Sequence, residues 1–168
     1  MQLSIITINY NHLEGLKTTM TSVFEQTYGS IEYIVIDGGS NDGSAAFIAE
    51  HTNKLVYSIS EPDEGIYHAM NKGIDQATGD YLLFLNSGDW LVDQFVIEKV
   101  IGFKPIEDIV YGDPLVRKGD KWVRKFMPKA MSIGVALTHT LAHQAEFYHK
   151  DLFNVCYSSD SVSNWRSS

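Results

Sequence analysis

The sequence predicts an α/β fold with a mostly parallel central sheet, helices on both faces, and a smaller mixed antiparallel part after it. Three observations carry this. Strand-like and helix-like patterns alternate from Leu3 to Ile101, the order that builds parallel sheets. The runs Tyr33–Ile36 and Tyr81–Leu85 read as short buried strands, and the first is too uniformly apolar to leave one face in water, so it is expected to be covered on two sides. Each run ends in small residues and a carboxylate, Asp37-Gly38-Gly39-Ser40-Asn41-Asp42-Gly43 and Asn86-Ser87-Gly88-Asp89, as strand ends do where open sheets bind ligands.

The elements follow in order. Leu3 to Ile8 is β-branched and reads as the first strand, with Asn9-Tyr10-Asn11 as a polar loop. From Leu13 to Gln26, Leu16, Met20, Val23 and Phe24 recur at helical spacing, and Gly29 ends the segment. After the second strand, Ser44 is placed to cap a helix to about His51 with Ala46, Phe47 and Ala49 inside. Leu55–Ile59 is the third strand. A helix from Ile66 to Ala77 turns Ile66, Ala69, Met70, Gly73 and Ile74 toward the sheet, and a further helix spans Phe95–Ile101. Beyond Pro105, Ile109–Tyr111 is a strand. Leu115–Arg117 and Lys121–Lys125 flank Lys118-Gly119-Asp120 as an antiparallel hairpin, and His143 to Tyr148 forms a last strand. One domain over residues 1–156 is expected, with a nucleotide-type half (1–104) and a second half (105–156). Residues 157–168 read as a polar tail, frayed or truncated.

Composition narrows the function. A length of 168 residues suits one core, and 44% hydrophobic with 20% charged residues is ordinary for a globular chain. A net charge of −8 argues against non-specific nucleic-acid binding, which needs a basic surface. The single cysteine, Cys156, excludes an internal disulfide framework and fits a reducing, cytoplasmic compartment. No apolar run has the ~20 residues of a membrane-spanning helix, and the N-terminus lacks the basic-then-apolar layout of a signal peptide.

Asp37 is suited to accept hydrogen bonds from a ribose or base edge, although Asp-Gly pairs are also plain turn chemistry. Asp89, with the amide of Asn86 nearby, suits a Mg²⁺ or Mn²⁺ that takes its remaining ligands from water and a diphosphate; the competing reading is a strand-to-helix turn. The acids Glu61, Asp63 and Glu64 precede a helix start, where the dipole favours them. Lys72 reads either as a phosphate contact or as a solvated helix face, and Ala69, Gly73 and Gly79 imply unusually close packing. A dinucleotide site would need its glycine-rich fingerprint after the first strand, where Asn9 to Gly15 lacks it, and a Walker loop is absent too.

Several pieces occur together in one order: Thr7-Ile8-Asn9-Tyr10-Asn11, Ile36-Asp37 to Gly43, Glu61-Pro62-Asp63-Glu64-Gly65, Ala69-Met70-Asn71-Lys72-Gly73, Gly79-Asp80 and Leu85-Asn86-Ser87-Gly88-Asp89. Together they resemble the family 2 glycosyltransferases, inverting enzymes of the GT-A fold, a Rossmann-like sandwich. The resemblance covers roughly residues 1–150. It looks closest to the bacterial branch that builds colanic acid, capsule and O-antigen polysaccharides, in which Tyr111-Gly112-Asp113 and His143-Gln144 also recur.

The resemblance implies a metal-assisted hexosyltransferase that moves a sugar from a nucleotide-diphosphate sugar, UDP-linked, to a saccharide or lipid-linked saccharide acceptor. Asn9, Tyr10 and Asn11 would line the nucleoside pocket; Asp37 and Gly38 would hold the base, and Asp42 its surroundings. Asp63 and Glu64 would flank the donor, with Ala69 and Asn71 on the wall and Lys72 beside it. Asn86 to Gly88 and Asp89 stand where the family has its D-x-D; Asn86 replaces the first acid, leaving Asp89 as the metal ligand. Asp113, His143 and Gln144 would lie on the acceptor side. A base must take the acceptor proton as the sugar–phosphate bond breaks; Asp160 falls at a suitable spacing, and Asp151 is the other late acid. The resemblance also implies peripheral contact with the cytoplasmic face of the inner membrane, for which Arg117, Lys118, Lys121, Arg124 and Lys125 are the basic concentration.

Relatives of this kind continue for many tens of residues beyond this chain. A second reading is therefore a truncated nucleotide-sugar binder without turnover. A third is a sugar nucleotidyltransferase, which would want a glycine-rich basic loop where Asn9 to Gly15 stands.

Overall fold

The computed structural model describes residues 1–127 and 143–154. Strands β1 (Leu3–Asn9), β2 (Ile31–Asp37), β3 (Tyr57–Ser60) and β4 (Tyr81–Phe84) alternate with helices α1 (Leu13–Phe24), α2 (Ser44–Glu50) and α3 (Ile66–Gln76). After them come α4 (Val96–Gly102), β5 (Ile109–Tyr111), β6 (Leu115–Lys118), β7 (Lys121–Arg124), β8 (Glu146–His149) and the short α5 (Asp151–Asn154). The main sheet has six strands in the order β3-β2-β1-β4-β8-β5. The first four are parallel, and β8 runs antiparallel between β4 and β5.

The side-chain period of two splits the core cleanly between the faces. Leu3, Ile5, Tyr33, Val35, Tyr81 and Leu83 meet Leu16, Met20 and Val23 of α1, Ile48 of α2 and Ile97 of α4. Ile6, Ile34, Ile36, Leu82 and Phe84 point the other way, onto Ala69 of α3 with Phe153 of α5 beside them. The expected α/β sandwich is thus formed, with α1, α2 and α4 on one face and α3 on the other.

Gly73 explains the close seating of α3. A Cβ there would lie 2.5 Å from Cγ2 of Ile6, so only glycine lets the helix come this near β1. Gly79 is similarly confined, since a Cβ would meet the Ser4 backbone nitrogen at 2.7 Å. Below it the buried Glu32 accepts hydrogen bonds from the Ser4 hydroxyl at 2.5 Å and from the Thr78 backbone at 2.7 Å. Burial alone would raise the Glu32 pKa, but these donors outweigh it and hold the carboxyl below its ordinary value.

Four expectations are corrected. The third strand begins at Tyr57, because residues Thr52–Lys54 form a 3₁₀ turn first. In α2 the buried positions are Ser44 and Ile48, one helical turn apart, while Ala46 and Ala49 are exposed. Ser44 is the first helical residue rather than the cap; Asp42 reaches over to accept from its backbone N–H at 3.0 Å and its hydroxyl at 2.6 Å. The last strand is shorter than the run His143 to Tyr148, since His143–Ala145 is a 3₁₀ turn and pairing begins at Glu146. The β6–β7 hairpin forms as expected, turning at Gly119 with φ of 59°.

Candidate functional site

Parallel pairing puts the carboxyl ends of β1, β2 and β4 on one edge of the sheet. Asn9 is in register with Asp37, and the Ser87 N–H donates to the Ile8 carbonyl at 3.1 Å. The two acidic loops therefore flank the 9–12 loop, which is bolted to each. On the β2 side, the Asn11 N–H donates to Ser40 Oγ at 2.7 Å and the Asn41 N–H to Asn11 Oδ1 at 2.9 Å. Asp42 Oδ2 accepts from the Leu13 N–H at 2.8 Å. On the β4 side, Nδ1 of His12 lies 3.2 Å from the Ser87 carbonyl. Thr19 Oγ1 lies 2.7 Å from the Asp89 carbonyl and accepts from the Gly88 N–H at 3.0 Å. Gly88 has φ of 99°, which favours glycine, and a Cβ there would strike the His12 ring at 2.9 Å.

Asp37 lies beneath the site rather than in it. It is 0% exposed, and its oxygens accept from Asn9 Nδ2 (2.6 Å), the Ser40 backbone (2.9 Å) and hydroxyl (2.6 Å), and the Ser60 hydroxyl (2.5 Å). Burial raises its pKa, but the donors from Ser40, Ser60 and Asn9 prevail and keep it below the ordinary aspartate value. A carboxylate only accepts, so the Asn9 amide must turn its nitrogen inward. Its Oδ1 is then buried with no partner among the described residues.

Above this layer a cavity of about 570 Å³ is lined by Asn9, Tyr10, Gly38, Asp63, Ile66, Ala69 and Asn86, among others. The volume is that of a small-molecule site. Tyr10 stands at its mouth, 67% exposed, and Gly38 leaves room for it: a Cβ would meet the Tyr10 ring at 3.2 Å and Asp63 Oδ2 at 3.3 Å.

Other expected residues are placed differently. Asn71 is exposed and absent from the cavity wall; two residues from Ala69, it points to the far side of α3. Ile66 faces the cavity, half-exposed, instead of packing on the sheet. Lys72 is not a solvated face, and it stands beside the cavity through its partner Asp63 rather than in the lining itself. It pairs with Glu61 and Asp63, both at 2.6 Å, and the hydrogen bonds to Asp63 and then Glu61 raise its pKa. Glu64 is exposed, its N–H donating to His68 Nδ1 at 3.0 Å. Asn11 and Asp42 are exposed and spend their side chains on the loop contacts above.

The Asn86–Asp89 turn divides this cavity from a second, of about 670 Å³. Asn86 lines the first; Gly88 and Asp89 line the second, with Asp113 and Gln144 across from them. Asp113 is held by Arg124 Nε at 3.0 Å and by the Met127 N–H at 2.7 Å. His143 begins the 3₁₀ turn, but its side chain lies outside the described residues, as does the whole of Asp160. Trp90 and Trp122, which the sequence reading passed over, also line this cavity. The only sequence signal was that Trp90 directly follows Asp89.

The turn suits a hard divalent cation. Asn86 Oδ1 and Ser87 Oγ are buried without partners among the described residues, and Asp89 adds a carboxylate two residues on. Magnesium and manganese take oxygen ligands of this kind and keep sites for water and phosphate. Among the described residues no cluster of three His, Cys, Asp or Glu side chains offers an all-protein cage.

The comparisons with known proteins agree with this layout. Residues 4–161 match the model for glycosyl transferase family 2. An uncharacterized glycosyltransferase of Mycobacterium tuberculosis is 40% identical over 156 residues, covering 89% of this chain and 59% of its own length. A PGL/p-HBAD biosynthesis glycosyltransferase of Mycobacterium bovis is 33% identical over 157 residues, covering 89% and 60%. The chain thus spans about three fifths of these relatives. Among solved structures, Staphylococcus aureus TarS 1-349 in complex with UDP-GlcNAc aligns with a TM-score of 0.76 at 20% identity, covering 92% of this chain and 47% of that one. The mannosyltransferase PcManGT from Pyrobaculum calidifontis, in complex with GDP-Man and Mn²⁺, aligns with 0.60 at 21%, covering 70% and 36%. At such identities the likeness speaks for the fold alone, which is the GT-A sandwich the sequence led us to expect.

Proposed function

This chain belongs to glycosyl transferase family 2, and from that premise we propose that it binds a UDP-sugar in the first cavity and transfers the sugar, with inversion, to a saccharide acceptor. The observation that carries the proposal is the cavity itself: it runs from Asn9, Tyr10 and Gly38 at one end to Asn86 on the Asn86–Asp89 turn at the other. Those ends match a ligand with a planar base at one side and a diphosphate at the other.

The unpaired Asn9 Oδ1 is suited to accept the imide N–H of uracil, with Asp37 locking the amide that way round. Tyr10 offers an exposed ring for the base to stack on. Asp63, held by Lys72, is suited to the sugar or ribose hydroxyls. Asn86, Ser87 and Asp89 would hold Mg²⁺ or Mn²⁺, which when bound neutralises the leaving diphosphate. Asp113 and Gln144 face the acceptor, and the acceptor proton is assigned to Asp160 on the strength of the resemblance.

The acceptor is proposed to be a growing cell-surface glycan, lipid-linked, reached from the cytoplasmic face. The exposed Lys118 and Lys121, paired across the hairpin, are the surface suited to an anionic membrane. Among the described residues no helix is long and apolar enough to cross a membrane.

Calorimetric titration with UDP, GDP and their sugars, with and without Mn²⁺ or Mg²⁺, tests the proposal. Metal-linked binding of UDP in preference to GDP is expected. Failure of both nucleotides to bind would overturn it, and binding without turnover on any saccharide would reduce the chain to a donor-binding module.

A further inference from the structure

The second cavity holds two tryptophans that lie outside the lining of the first. Trp90 and Trp122 meet there edge to face, with ring centroids 5.1 Å apart and planes at 84°. They remain 42% and 52% exposed, an unusual state for two packed indoles in a concave site.

We propose that these two rings form a corner that receives a neutral pyranose ring of the acceptor. This rests on the donor reading above, because the Asn86–Asp89 turn that divides the two cavities fixes which one faces the donor. A pyranose presents C–H-rich faces and a rim of hydroxyls. The C–H faces suit the electron-rich faces of indole, and two perpendicular rings grip one face and one edge at once. Hydroxyls need polar partners, and Asp89, Asp113 and Gln144 line the same cavity.

Charge favours a neutral ligand. Asp113 is balanced by Arg124, and Arg117, which lines the same cavity, pairs with Asp120 at 4.0 Å and donates through Nε to the Gly119 carbonyl, so among the described residues the lining with Asp89 and Asp113 leaves no cation there to attract an anionic sugar. The strand register sets Arg117 directly opposite Trp122, so the hairpin turn that holds one fixes the other.

The test uses the full chain carrying Trp165→Phe, which removes the third tryptophan, and reads intrinsic fluorescence against methyl glucoside, galactoside, mannoside and N-acetylglucosaminide. A saturable emission change with at least one pyranoside is expected. Trp122→Ala and Trp90→Ala should each weaken it roughly tenfold, while Trp122→Phe, which keeps an aromatic face, retains most of the affinity. UDP binding, measured on the same variants, should be unchanged and doubles as the folding control.

UDP binding with no pyranoside response at concentrations up to about 0.1 M would overturn the corner and leave the donor reading standing. Pyranoside binding without UDP binding would do the reverse. Indoles shielded from acrylamide and unresponsive to every sugar would mean that other residues of the protein cover the corner, which also overturns it.

Discussion

Nδ2 of Asn9 donates to Oδ1 of Asp37 at 2.6 Å, and this one bond joins the ends of two neighbouring strands. It converts a buried carboxylate into an orienting device. Asp37 itself is fully buried, yet it decides which way round the Asn9 amide lies and so leaves the Asn9 oxygen, not the nitrogen, without a partner among the described residues.

Replacing Asp37 with Ala leaves the donors of Asn9, Ser40 and Ser60 without their acceptor. Stability should fall by about 3 kcal/mol, read from urea unfolding. A loss within ~0.5 kcal/mol, as for a surface site, would show that the network is dispensable.

The same carboxylate sets an acid limb. Its folded pKa is depressed, so its contribution is fully present above the unfolded value of about 3.9 and is lost as pH falls through the lower folded value. Glu32 acts in the same direction. Thermal melts from pH 6 downward should decline below about pH 4, and Asp37→Asn should flatten that decline. An unchanged slope would assign the limb elsewhere.

Asp89→Ala should weaken UDP binding at least about tenfold in Mn²⁺ while leaving uridine binding intact, because the metal proposed at the turn serves the diphosphate and not the nucleoside. Calorimetry with both ligands decides it. Equal losses for the two would remove Asp89 from the diphosphate end.

Lys72 gives the converse prediction. As it pairs with Glu61 and Asp63, Lys72→Met should affect UDP and uridine alike, by shifting Asp63. A loss confined to UDP would instead mean that the ammonium leaves its partners to grip phosphate.

Gly73→Ala should cost roughly 1–3 kcal/mol, since its new methyl would enter the space of Ile6. A variant as stable as the parent would mean that α3 rides freely on the sheet.

Much of this was legible in the sequence. The apolar run around Ile34 announced a strand covered on both faces, because only a two-sided burial tolerates such a run, and the run around Leu83 announced a buried strand. The glycine at 73 announced close approach, and Lys118-Gly119-Asp120 announced the hairpin, since φ above zero wants glycine there. What failed was side-chain address. Asn71 was assigned from neighbourhood in a motif, whereas a helix sends adjacent residues about 100° apart, and Ile66 was assigned from helical spacing although it is the first residue of α3.

The sequence by itself determined the α/β order, the family and the two acidic loops at strand ends, since these depend on local pattern and on spacing along the chain. Only the tertiary structure decided that Asp37 lies under the cavity, that Asn86 and Asp89 face different cavities, and that Trp90 meets Trp122. Each of those depends on which atoms of distant segments compete for the same few ångströms of space and the same hydrogen-bond partners, and no spacing along a chain encodes that competition.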